Sequence, residues 1–140
     1  MTTNSNTAAI KSFVIETLGC RCPESVFEQI DYDERSTIPG FDTPLQRLLI
    51  GTRLLIYIFE SDDATALQMF LPLLVEKGKA ERDHNGYNRL RVVVATDQPQ
   101  SIQHEAEMLF ASLGDVDEKV HLHVLSRCRG LDRIRQTVPG

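Results

Sequence analysis

Arg53-Leu-Leu-Ile-Tyr-Ile-Phe59 is the stretch whose reading decides the fold. Beyond Arg53 it is apolar throughout, as expected of a strand covered on both faces. Glu60-Ser61-Asp62-Asp63 follows, supplying side chains that cap a helix and negative charge for its dipole. Ala66, Met69, Phe70, Leu73 and Leu74 then recur at helical spacing as the expected buried side, with Pro72 expected to kink the helix. His84-Asn85-Gly86 reads as the next turn, and residues 90–96, with Val92-Val93-Val94, as a short buried strand. Pro99 opens another helix, whose Ile102, Ala106, Leu109, Phe110 and Leu113 repeat at helical spacing before Gly114. Val120, Leu122 and Val124 alternate with His121, His123 and Leu125 in a last strand. The order is β-α-β-α-β, with connections long enough for right-handed parallel crossovers.

Upstream, Leu45-Gln46-Arg47-Leu48-Leu49-Ile50 meets the first strand across Gly51-Thr52, the pattern of a hairpin with a type II′ turn. Residues 36–44 hold Pro39, Gly40 and Pro44 and read as loop, while residues 30–35 alternate weakly, as at the start of a strand. Ile10, Phe13, Val14 and Leu18 mark one helix face that Gly19 would end, although Phe13-Val-Ile-Glu-Thr17 also favours a strand. Pro23 suits the first position of a second helix, with Cys22 as N-cap and Val26, Phe27 and Ile30 on one side. The expected protein is α/β: a flexible N-terminus over residues 1–7, then one domain over residues 8–140. Its mixed sheet has a parallel β-α-β-α-β half and an antiparallel hairpin edge, preceded by one or two N-terminal helices.

The chain has 140 residues, 41% hydrophobic and 25% charged, which suits a single soluble domain that needs neither disulfide nor metal to fold. Its net charge of −5 argues against nucleic acid as a partner. No segment is long and apolar enough to span a membrane, and the first residues lack the pattern of a secretory signal. Three cysteines cannot all pair within one chain, so free thiols and a reducing, cytoplasmic setting are expected. The charge is uneven. Arg127, Arg129, Arg133 and Arg135 against Asp132 give residues 126–140 a balance of +3, leaving −8 on the rest. Such a tail could bind an anion or fold back onto the acidic body.

Cys20-Arg21-Cys22-Pro23 is the most distinctive local motif. Two thiols one residue apart at a helix start, beside an arginine, favour the reactive thiolate or chelate a soft metal. The same residues also suit plain packing in a tight turn. Thioredoxin-like proteins carry two residues between their cysteines, so the pair assigns no family. Cys128 follows the last strand, and in open α/β sheets ligands gather beyond the carboxyl ends of strands. Cys20, Cys22 and Cys128 would need a histidine to complete a zinc site. His123, on the same strand face as His121, is the candidate, although a His-x-His pair is also an ordinary edge-strand surface. His84 reads as turn surface and His104 as helix exterior.

Glu60, Asp62, Asp63 and Asp97 follow neighbouring strands and could hold Mg²⁺, but helix capping accounts for them without a metal. Neither glycine-rich phosphate loop occurs, nor G-x-S-x-G. Two functions follow. In the first, Cys20 and Cys22 form a redox dithiol, or bind zinc or another soft metal with Cys128 and His123. The alternative is a non-catalytic binding or assembly module, a homodimer joined through the apolar hairpin of residues 45–59 if that hairpin is an open edge.

Overall fold

Five strands run in chain order across one mixed sheet: β1 (Ile30–Ile38), β2 (Phe41–Ile50), β3 (Leu54–Glu60), β4 (Arg89–Thr96) and β5 (Val120–Ser126). The computed structural model describes residues 10, 12–17, 28–38, 41–113 and 118–126. β1, β2 and β3 form an antiparallel meander, and β3, β4 and β5 are parallel. Helix α1 (Ala64–Asn85) links β3 to β4, and α2 (Pro99–Ala111) precedes β5. The α/β architecture with a parallel half and an antiparallel half is the one the sequence predicts.

β3 is apolar because it is covered twice. Leu55, Tyr57 and Phe59 join Leu67, Leu71 and Leu74 of α1 and Ile102 and Ala106 of α2 in one core. Leu54, Ile56 and Ile58 face the other way, against Ile10, Phe13 and Val14 of the N-terminal segment. That segment includes a π-helical turn over Phe13–Thr17. Burying Ile10, Phe13 and Val14, each worth about 1.5–3 kcal/mol, holds it on the sheet. The layers are therefore helices, sheet and N-terminal segment.

Several expectations need correction. Residues 36–38 and 41–44 are strand where loop is expected: β1 reaches Ile38 and β2 begins at Phe41. Register shifts between Asp33 and Ser36 and between Ser36 and Ile38 accommodate the irregular sequence. β1 pairs with β2, so the hairpin of β2 and β3 is internal and offers no open edge. Its turn is not type II′. Gly51 and Thr52 both have positive φ, 61° and 53°, and Arg53 N–H donates to Ile50 O at 3.0 Å, as in the type I′ family.

α1 is capped by Asp63, whose carboxylate accepts from Thr65 N–H at 3.0 Å, and ended by Gly86 at φ 75°. The helix includes His84 and Asn85, so the turn begins only at Gly86. It continues on both sides of Pro72. Its buried side is Leu67, Leu71, Leu74, Val75, Gly78 and Arg82, whereas Met69 is 65% exposed. Apolar residues crowd most of the helix surface between 66 and 75, so periodicity alone does not select the face. α2 begins at Pro99 and buries Ile102 and Ala106 as expected. No helix of the described residues is long and apolar enough to cross a membrane.

Candidate anion-binding site

Leu90, Val92 and Val94 of β4 point into the helix-side core, which turns Arg89 and Arg91 to the opposite face by strand alternation. In β5, Val120, Leu122 and Val124 join the helix side and place His121 and His123 beside those arginines. The register pairs Arg91 with His121 and Val93 with His123. The hydrogen bonds run on the diagonal. Arg89 Nη1 lies 3.2 Å from His121 Nε2, and Arg91 Nη1 lies 2.8 Å from His123 Nε2.

Guanidinium can only donate, so each Nε2 accepts, and the ring proton belongs on Nδ1 of a neutral imidazole. The electrostatics agree. Burial, with Arg91 and His121 adding, pushes His123 down from 6.5 to about 4. His121 is lowered by burial and by Arg91 and Arg89. Burial and the Arg89 charge also lower Arg91. A neutral ring can orient a guanidinium without cancelling its charge. Among the described residues, no carboxylate pairs with Arg89. Two half-buried cations thus stand two residues apart on one strand face, suited to recognising a carboxylate or phosphate group.

The helix side carries a different network. Glu81 of α1 accepts from Tyr57 Oη at 2.5 Å, from Arg47 Nε at 3.0 Å and from Arg47 Nη2. Asp31 is 3.8 Å from Arg47 Nη1. Burial works to raise the Glu81 carboxyl, but the bonds from Arg47 and Tyr57 outweigh it and hold it below its ordinary value. The Glu81 carboxylate is well satisfied, and the network joins α1 to β2 and β3. At the carboxyl ends of the parallel strands, Asp62 Oδ1 accepts from Thr96 Oγ1 at 2.8 Å and from Asp97 N–H at 2.7 Å. Asp63 caps α1. These two carboxylates therefore have structural roles.

Cys20, Cys22 and Cys128 lie outside the described residues. His123 shares a face with His121, as the alternation predicts, but its Nε2 lone pair is engaged by Arg91. A metal at that nitrogen would have to displace the guanidinium. Among the described residues, no group of three His, Cys, Asp or Glu is placed to hold a metal. His84 and His104 are exposed. Sequence reading missed Arg89 and Arg91. The usable signal was a pair of polar residues two apart, Arg-Leu-Arg, matched by His-Leu-His on the neighbouring parallel strand. Comparison with known proteins finds no matching family model, curated protein or solved structure.

Proposed function

We propose that the chain is a non-catalytic binding module that takes an anionic group on the face formed by Arg89, Arg91, His121 and His123. The observation that carries this reading is the pairing of Arg89 with His121 instead of with a carboxylate. Guanidinium offers five donors in a planar fork, and the contact to His121 engages one of them. The surrounding chain is net acidic, which disfavours long polyanions and leaves small anionic groups as the fitting class.

The test is a titration with inorganic phosphate at low ionic strength, following arginine Nε–H and histidine ring resonances by NMR. Resonances of Arg89, Arg91, His121 and His123 should move together, and chloride at equal ionic strength should not move them. Arg89→Gln should lose most of the response. Unchanged resonances, or an undiminished response in an Arg89→Gln/Arg91→Gln variant, would overturn the reading.

A second reading rests on Cys20-Arg21-Cys22-Pro23. We propose that these thiols, in a reducing cytoplasmic setting, serve either as a redox dithiol or, with Cys128 and His123, as ligands for zinc or another soft metal. In the redox case one thiolate attacks a substrate disulfide, and the second displaces it from the mixed disulfide, leaving a reduced substrate and an oxidised pair. Thiol titration with and without a strong chelator separates the two. Two fast thiols in metal-free protein support redox chemistry, and chelator-dependent exposure supports a metal. Three uniformly slow thiols would sink both.

A further inference from the structure

Building on the anion-binding reading, we infer that β5 is a docking edge for an extended acidic peptide, which adds to the sheet as a further strand beside Arg89 and Arg91. The two edges of the sheet are built differently. β1 carries exposed Asp31 and Asp33 and two register shifts, devices that discourage another strand from pairing. β5 reads Val-His-Leu-His-Val-Leu-Ser, without a charged residue or a proline, and runs in unbroken register with β4. Among the described residues it pairs with β4 alone.

The register also identifies the outward backbone groups. Leu90 N–H donates to Lys119 O at 3.0 Å, so the backbone groups of Lys119 face β4. Direction alternates along a strand, which turns His121 and His123 toward β4 and Leu122 and Val124 toward the outer edge. Their N–H and C=O groups are the ladder an added strand would meet.

Charge then selects the occupant. Both arginines reach across to β5, and each bonds the histidine two residues beyond its own level. Their guanidinium groups therefore lie over the edge strand, about 5 Å from where a neighbouring strand would run. Carboxylates on alternate residues of that strand would meet them. On its other face the strand would lie beside half-buried Leu122 and Val124, so the intervening residues should be apolar. A second copy of this chain fits less well. Antiparallel pairing of two β5 strands about an axis normal to the sheet would bring a second Arg89 and Arg91 onto the same face.

The experiment uses the full chain and a capped peptide of alternating glutamate and valine, matched in length to β5. Calorimetry measures binding, and amide hydrogen exchange locates it. The glutamate peptide should bind and slow exchange at Leu122 and Val124. A glutamine–valine peptide, or the Arg89→Gln/Arg91→Gln variant, should bind at least about tenfold more weakly. Methylating the peptide amides that face β5 should abolish binding. Leu122 and Val124 amides already protected in the free monomer would overturn the inference, as would peptide binding that leaves them unprotected. Self-association through β5 would also overturn it. Phosphate binding that survives failure of the peptide would leave the anion-binding reading standing, whereas loss of both would sink the two together.

Discussion

The phenol of Tyr57 donates to Oε1 of Glu81 at 2.5 Å, tying the middle of β3 to the last third of α1. Arg47 meets the other oxygen of the same carboxylate, so one side chain of the helix holds two neighbouring strands.

Removing these partners should have unequal costs. Tyr57→Phe deletes one donor and leaves Glu81 with Arg47, a loss of about 1 kcal/mol. Glu81→Gln leaves the half-buried Arg47 charge with only distant Asp31, a loss of about 2–3 kcal/mol. The pH dependence has a definite sign. The Glu81 carboxyl is held below its ordinary 4.5 in the fold, so its stabilisation is present above that pH. It is lost as pH falls through the folded value. Urea unfolding from pH 7 to pH 3 should show a shallower acid limb in Glu81→Gln than in the parent. Equal limbs would contradict the assignment.

Gly78 should resist even the smallest enlargement. A Cβ there would lie 2.8 Å from both terminal methyls of Leu90 and 3.2 Å from the Tyr57 ring. Leu90 is fully buried, so its methyls cannot swing into solvent. Overpacking of about 1–3 kcal/mol competes with the roughly 1 kcal/mol that alanine gains over glycine in a helix. Gly78→Ala should therefore be net destabilising, by about 1 kcal/mol. In a double-mutant cycle with Leu90→Ala, the combined loss should fall short of the two single losses added together. Strict additivity would mean that the contact is not the cause.

Legibility in the sequence followed burial on two faces. β3 and β4 read as near-continuous apolar runs and α2 as a helical repeat, and each forms where it reads. β1 is an edge strand with polar Asp31 and Asp33, and Pro39-Gly40 follows it closely, so local propensity points to loop. Strand pairing with β2 overrides that propensity. The buried side of α1 was hidden for the opposite reason: an excess of apolar residues between 66 and 75 masks the face, and Gly78 is buried only because Tyr57 of β3 and Leu90 of β4 approach it. The Arg–His site was half legible. Alternation puts His121 and His123 on one face, but no single strand reveals that Arg89 and Arg91 stand beside them.

His123 should give the protein a stability loss in mild acid. Its ring, ordinarily near 6.5, is held at about 4 in the fold, so the folded state binds fewer protons than the unfolded state. The contribution is full above pH 6.5 and is lost progressively as pH falls to about 4. The ring keeps some solvent contact that screens its charge, which limits the loss to about 1–2 kcal/mol. His123→Gln preserves an acceptor for Arg91 but does not titrate in this range. Its unfolding free energy should vary less between those pH values than the parent's. A slope unchanged by the substitution would assign the effect elsewhere.

Cys22 should be the most acidic of the three thiols if the cysteine motif is chemically active. The sequence before Pro23 predicts Cys22 as an N-cap, a position where free backbone donors would converge and stabilise a thiolate. Cys20 is two residues further from that helix start, and Cys128 belongs to a different part of the chain. Alkylation at mildly acidic pH should then label Cys22 first, with Cys20 and Cys128 following slowly, and Cys22→Ser should remove the fast phase. Serine keeps the capping oxygen, so the variant should lose little stability and separates chemistry from folding. Packing without chemistry predicts the reverse: three slow thiols in the native chain, all released together on unfolding. That pattern would end the reactive-thiol reading and leave the Arg89–Arg91 face as the remaining proposed site.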